Sequence, residues 1–266
     1  MSASENTSPV IVEKRGNIGI ITYNNPAKLN AMSMEMWQQG REALLSFQED
    51  HDIRCVILTG AGDQAFVAGA DISKFENERS SVAQIEKYNE TVAAYHAAAQ
   101  SLIKPTVARI QGYCIGGGLA MAIDTDIRIV ADDSRFAVPA AKLGIGYAYE
   151  GIRRLYNLVG PSFVAEIFYT ARQFDAEEAR IMGLVNRVVP KAELDDAVFG
   201  LAERIAGNAP MSISTVKAAL IELSKVEADR DLSVPESHVR ACFDSYDYTE
   251  GRTAFMEKRK PEFQGR

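Results

Sequence analysis

The chain has 266 residues, 47% hydrophobic and 24% charged, which is enough apolar content for a sizeable core and argues against disorder. Twenty-nine lysines and arginines stand against 36 aspartates and glutamates, a net charge of −7 without a long basic run, so the electrostatic footprint of a nucleic-acid binder is missing. Cys55, Cys114 and Cys242 are odd in number and lack C-x-x-C spacing, and no run reaches the roughly 18 apolar residues of a membrane span, so reduced thiols in a soluble, cytoplasmic protein are expected, with no disulfide framework and no metal site.

The first half alternates short β-rich runs with helical patterns. Ile18 to Tyr23, Ile53 to Thr59 and Thr106 to Ile110 read as strands, separated by helices over Met34 to Phe47 and Val82 to Ile103. Ser81 and Gln84 fit a capping box at the start of the second helix, and Pro105 marks its exit. A short helix start at Ala120 to Ile123, a strand at Ile127 to Ala131 and a helical stretch at Ile152 to Leu158 continue the pattern. From Pro161 the strand signal nearly vanishes: Phe163 to Thr170, Ala176 to Met182, Leu194 to Ile205, Ser212 to Leu223 and Ser233 to Tyr246 read as helices, interrupted by Val185 to Val189. The fold class is therefore α/β with a helical tail.

Two glycine-rich stretches, Phe66 to Ile72 and Gly112 to Ala120, each lie where an apolar strand gives way to a loop or helix. Small residues there let a substrate carbonyl approach free backbone N–H groups, which is what an oxyanion hole requires. A helix starting after Gly116-Gly117-Gly118 would add its positive end to the same spot.

In order along the chain, Asn25-Pro26-Ala27-Lys28-Leu29-Asn30-Ala31, Ala68-Gly69-Ala70-Asp71-Ile72, Gly116-Gly117-Gly118 and Ala254-Phe255-Met256-Glu257-Lys258-Arg259 resemble the motifs of the crotonase, or enoyl-CoA hydratase/isomerase, superfamily. The resemblance runs from about Ile18 to the C-terminus. It implies a spiral of ββα turns over residues 1–200, a helical trimerisation and CoA-covering region over 201–266, and a homotrimer or dimer of trimers. It also implies acyl-CoA thioester substrates, with no cofactor beyond their coenzyme A moiety. Residue by residue, the hole would be made by the amides of Ala70 and Gly117. Lys28, Ala68 and Ile72 would border the nucleotide end of CoA, and Phe255 and Lys258 would reach the CoA of an adjacent subunit.

Hydratases of this superfamily use a glutamate two residues after the triple glycine and a second on a Phe-x-x-Pro-x segment as acid and base. Those positions are Ala120 and Ala140 here, and a third, aspartate in related isomerases and a dehalogenase, is Ala148. Methyl groups move no protons, so ordinary hydration is not expected. Within the superfamily, Leu143-Gly144-Ile145-Gly146-Tyr147 and the tail from Asp244 to Pro261 look most like methylmalonyl-CoA decarboxylase-type members. That type differs in keeping a glutamate at the position of Ala120 and a histidine at that of Ala70. Decarboxylase-like chemistry is favoured, with Tyr147 orienting the α-substituent or relaying a proton. The alternatives are a hydratase or isomerase using Tyr147 or Glu150, and an acyl-CoA binding protein without turnover.

Other polar residues have plainer readings. Asp71 caps the turn that follows it, Asp124 and Asp126 are turn or cap residues before a strand, and His96 is a surface or satisfied histidine. His51 and His238 have no motif around them.

Overall fold

Val10–Arg15 (β1) and Ile18–Tyr23 (β2) pair antiparallel across a turn at Gly16 and Asn17, with Val10 opposite Tyr23 and Arg15 opposite Ile18. The computed structural model describes residues 8–74 and 80–266. Ser33 caps Met34–Glu49 (α1) by accepting from the Met36 amide, and the helix buries Met36, Trp37, Ala43, Leu44 and Phe47 at helical spacing. Cys55–Gly60 (β3) is buried on both faces, as a strand inside a parallel sheet must be.

A repeating unit follows. Cys55–Gly60 leads to Ala65–Val67 (β4) and then Val82–Ser101 (α2), where the Ser81–Gln84 capping box forms in both directions. Thr106–Ile110 (β5) and Tyr113–Ile115 (β6) lead to Gly117–Ile123 (α3). Ile127–Ala131 (β7) and Arg135–Ala137 (β8) lead to Ala140–Leu143 (α4). Each unit gives its first strand to one sheet and its second to another, which is the ββα spiral the resemblance implied.

The remaining elements are Tyr149–Thr170 (α5), Phe174–Asp175 (β9), Ala176–Ile181 (α6), Arg187–Val189 (β10), Leu194–Ala206 (α7), Pro210–Ser224 (α8), Ser233–Phe243 (α9) and Tyr246–Glu257 (α10). Among the described residues the larger sheet has the order β1-β2-β3-β5-β7-β10, parallel beyond the first hairpin, and the smaller has the order β4-β6-β8-β9. α7 covers one face of the larger sheet with Leu194, Val198 and Ala202 against Ile57, Val107 and Ile129. The main core lies on the other face and extends around the smaller sheet, taking in Trp37, Phe66, Tyr95, Met121 and Phe136. Lys217 of α8 forms a buried ion pair with Asp126 at 2.6 Å, which ties the helical tail to the start of β7.

Several boundaries differ from those expected. β4, β6 and β8 were not foreseen, because three-residue strands are defined by parallel partners from distant turns, such as Cys114 beside Val67 and Phe136. The stretches at Ile152 to Leu158 and Phe163 to Thr170 remain two helical pieces within α5, as expected, because Gly160 leaves the helical region at φ +78° and ψ 170° and Pro161 follows it. The helix expected over Ser233 to Tyr246 ends at Phe243, and a further helix, α10, begins at Tyr246, where Ser245 accepts from the Tyr248 amide at 3.0 Å. α3 begins at Gly117, three residues before Ala120. Cys55 and Cys114 are buried but Cys242 is only partly so, with its sulfur 3.4 Å from the Ser212 hydroxyl.

Candidate active site

The first loop is fixed by a single bridge. The Met32 amide donates to the Gly69 carbonyl at 2.8 Å and the Asp71 amide donates to the Met32 carbonyl at 2.9 Å. These bonds bracket Ala70, whose own N–H enters no hydrogen bond among the described residues. In the second loop the Gly116 amide donates to Ala137 at 2.8 Å and the Gly116 carbonyl accepts from Ala120 at 3.0 Å. Gly117 stands between them as the first residue of α3, so its N–H has no acceptor within the helix.

The two free amides are neighbours. A Cβ added to Gly117 would lie 4.0 Å from the Gly69 carbonyl carbon and 3.5 Å from the Trp37 ring. The loops approach because Gly118 has no side chain: a Cβ there would sit 2.1 Å from the Val67 oxygen. Two unpaired donors on rigid, closely packed backbone are what a developing oxyanion needs.

Lys28, Ala68 and Ile72 gather around the first loop. Lys28 Nζ donates to Asp71 Oδ2 at 2.9 Å and to Ser73 Oγ at 2.6 Å, the Ala68 amide donates to Leu29 at 3.0 Å, and Ile72 is 62% exposed. Asp71 caps its turn as expected, taking the Ser73 amide on Oδ1 at 3.1 Å. Burial pushes its carboxyl up, but the bonds from Ser73 and Lys28 outweigh this and hold it below the usual range. Phe255, 82% exposed, and Lys258, at φ +56° after α10, make no hydrogen bond, ion pair or ring contact with this loop among the described residues.

Ala120 and Ala140, the positions the resemblance implied for an acid and a base, are both buried and hold methyl groups; Ala148 is exposed at the start of α5. Tyr147 packs edge-on against Phe168, with centroids 4.9 Å apart, and over Gly151, where a Cβ would meet its ring at 2.7 Å. Burial raises its hydroxyl's pKa, opposed by Arg154 and aided by Asp124, so the group stays a proton-bearing donor at neutral pH. Glu150 is placed differently. Its side chain is 66% exposed and held by Arg153 Nη2 at 2.7 Å, while Arg153 also donates to the Ser224 carbonyl of α8.

A cluster not recognised in the sequence lies beyond Ala120. Asp124, the residue that closes α3, has a side chain 1% exposed and binds three groups: His96 Nδ1 from α2, Arg154 Nη1 from α5 at 2.5 Å, and Gln100 Nε2 at 3.2 Å. Its position does close α3, but its carboxylate is the hub of this cluster. The His96 ring lies 5.6 Å from those of Trp37, tilted at 51°, and Tyr95, edge-on at 81°, and Arg154 Nε is buried without an acceptor among the described residues. The only sequence signal was a histidine and an aspartate of ordinary type on separate elements, 28 residues apart.

The buried cysteines are poor nucleophiles, since burial pushes Cys55 up to about 12 and Cys114 higher still. Among the described residues no group of three or more His, Cys, Asp or Glu side chains could hold a metal, and no helix is long and apolar enough to cross a membrane.

The family model described as enoyl-CoA hydratase/isomerase matches residues 13–266. The chain is 34% identical to the short-chain-enoyl-CoA hydratase of Clostridium acetobutylicum, over 95% of this chain and 96% of that one. It is also 34% identical to the crotonyl-CoA hydratase of Syntrophomonas wolfei, over 96% and 97%. The fold superposes with a TM-score of 0.93 on an enoyl-CoA hydratase/carnithine racemase from Magnetospirillum magneticum, at 33% identity, covering 98% of this chain and 97% of that one. With the ββα spiral and paired loops already in place, these matches show that the chain belongs to the enoyl-CoA hydratase/isomerase family of the crotonase superfamily.

Proposed function

We propose that this protein binds an acyl-CoA thioester with its carbonyl oxygen on the Ala70 and Gly117 amides, and that it catalyses a decarboxylase-like lyase reaction through the enolate. The observation that carries this reading is the pair of adjacent, unused amides beside two buried alanines. Each donor of this kind lowers the barrier by about 3 kcal/mol where the oxyanion charge appears. Loss of carbon dioxide leaves the bonding electron pair on the α-carbon and needs no base to remove a proton, which suits a site with Ala120 and Ala140 in place of carboxylates. Tyr147, kept protonated by burial, would orient the α-substituent. Lys28, Ala68 and Ile72 would border the CoA nucleotide. Phe255 and Lys258 would meet the CoA of a neighbouring subunit, and the exposed apolar side chains of α8 to α10, among them Leu220, Leu223 and Phe243, suit burial in a trimer or dimer of trimers.

The names of the relatives favour a second reading, hydration or double-bond isomerisation through Tyr147 or Glu150. The exposed ion pair of Glu150 with Arg153 speaks against that residue as the base. Purified protein should release carbon dioxide from malonyl-CoA or an α-methyl analogue and hydrate crotonyl-CoA slowly or not at all. A hydratase-like rate on crotonyl-CoA without carbon dioxide release supports the second reading; tight binding of both esters without turnover supports a binding protein.

A further inference from the structure

We infer that His96, oriented by Asp124, is the group that moves the proton at the substrate α-carbon, in place of the carboxylates this chain lacks. The inference rests on the acyl-CoA reading above. A carboxylate only accepts hydrogen bonds, so the contact between Asp124 and His96 Nδ1 puts a proton on Nδ1 and leaves Nε2 to exchange protons. Nε2 takes no hydrogen bond from any described residue. An aspartate that holds an imidazole by Nδ1 fixes its tautomer and balances the charge the ring gains. Asp124 is itself pinned by Arg154 at 2.5 Å and Gln100 at 3.2 Å, and its side chain is 1% exposed.

Placement favours the oxyanion loops. Asp124 closes α3 four residues after Ala120 with near-helical backbone angles, so the pair stands about one turn beyond the vacant glutamate position. Trp37 packs near both: one edge lies 3.5 Å from the Cβ position of Gly117, and the ring centroid lies 5.6 Å from that of His96. Tyr95 closes the other side of the imidazole at 5.6 Å.

The step balances. The Nε2 lone pair takes an α-hydrogen as a proton, the C–H electron pair becomes the enolate double bond, and the carbonyl π pair moves to the oxygen on the Ala70 and Gly117 amides. Reversal returns a proton from Nε2 to the α-carbon. To complete a decarboxylation, in which breaking the C–C bond supplies the enolate electrons, Nε2 would first take a proton from solvent water and then give it to the α-carbon.

Exchange of the α-hydrogens of propionyl-CoA in D2O isolates this step from the overall reaction. Wild-type protein should exchange them. H96Q should slow exchange by about 100-fold or more, in line with loss of a general base. D124N, which keeps the shape but removes the charge, should slow exchange about tenfold or more as a positioning change. H96A should regain exchange when free imidazole is added, which a merely structural histidine would not allow. Trp37 is the sole tryptophan, so its fluorescence on titration with propionyl-CoA reports folding and binding in each variant. Binding by wild type without exchange, or wild-type exchange rates in H96Q or D124N, overturns the inference. No binding of propionyl-CoA by wild type overturns the acyl-CoA reading and this inference with it, whereas exchange without carbon dioxide release from malonyl-type esters overturns only the decarboxylase assignment.

Discussion

The Gly118 α-carbon stands so close to Val67 that an added Cβ would lie 2.1 Å from the Val67 carbonyl oxygen. The obstacle is backbone, which cannot swing aside as a side chain tip could. G118A should therefore separate the two loops, misalign the Ala70 and Gly117 amides, and destabilise the protein by roughly 1–3 kcal/mol as an overpacked site. Thermal unfolding and turnover measured together check this; an active, fully stable G118A would show that the loops tolerate separation.

Tyr147 offers a cleaner separation of chemistry from packing. Its ring is fixed by Phe168 and Gly151, and its hydroxyl makes no hydrogen bond among the described residues. Y147F should leave stability within about 1 kcal/mol. If the hydroxyl orients or relays at the α-substituent, the rate on a malonyl-type CoA ester should fall by about 100-fold. Steady-state kinetics on both proteins decide it.

At the C-terminus, Arg259 Nη1 and Nη2 close on the two oxygens of Glu250 at 2.6 and 2.8 Å, and the Glu262 amide adds a third bond at 2.8 Å. The Arg259 hydrogen bonds, with the Glu262 amide, hold the Glu250 carboxyl at about 2, below its ordinary 4.5. A depressed carboxylate stabilises the fold above its unfolded pKa, so the contribution is full at neutral pH and is lost as pH falls from about 4.5 towards 2. E250Q should loosen the tail after α10 at pH 7, read as faster amide exchange in residues 258–266, and the difference from wild type should shrink through that window.

The Lys217–Asp126 pair should matter more than the surface ion pairs. Lys217 is 7% exposed and both Asp126 oxygens lie within 2.7 Å of its ammonium, while Asp126 also accepts from the Thr106 amide and hydroxyl. K217M leaves that carboxylate without its cation. The expected cost is roughly 3 kcal/mol, towards the lower end for broken buried pairs because Asp126 is 26% exposed. Chemical denaturation should show the loss, and R180A, which breaks an exposed pair with Glu177, should change stability by less than about 1 kcal/mol.

Local sequence determined a good deal. Alternating apolar runs set β2, β3, β5 and β7; the Ser81–Gln84 box set the start of α2; and the glycines, with the motifs around them in order, identified the superfamily and placed Ala70 and Gly117 where their amides are found unused. The alanines at 120, 140 and 148 were equally plain, because a missing carboxylate can be read from one residue. These features depend on backbone propensity or on residue type, both carried by a few adjacent positions.

Tertiary structure decided the rest. β4, β6 and β8 are three residues long and exist through partners from other turns of the spiral, so no local pattern could announce them. Glu150 and Asp124 were both acidic residues near a helix end, yet packing sent one to solvent beside Arg153 and made the other the buried hub joining His96, Gln100 and Arg154. That cluster draws on three helices, and the energy of burying a charge with its partners is a property of the assembled core, so residue type alone could not reveal it.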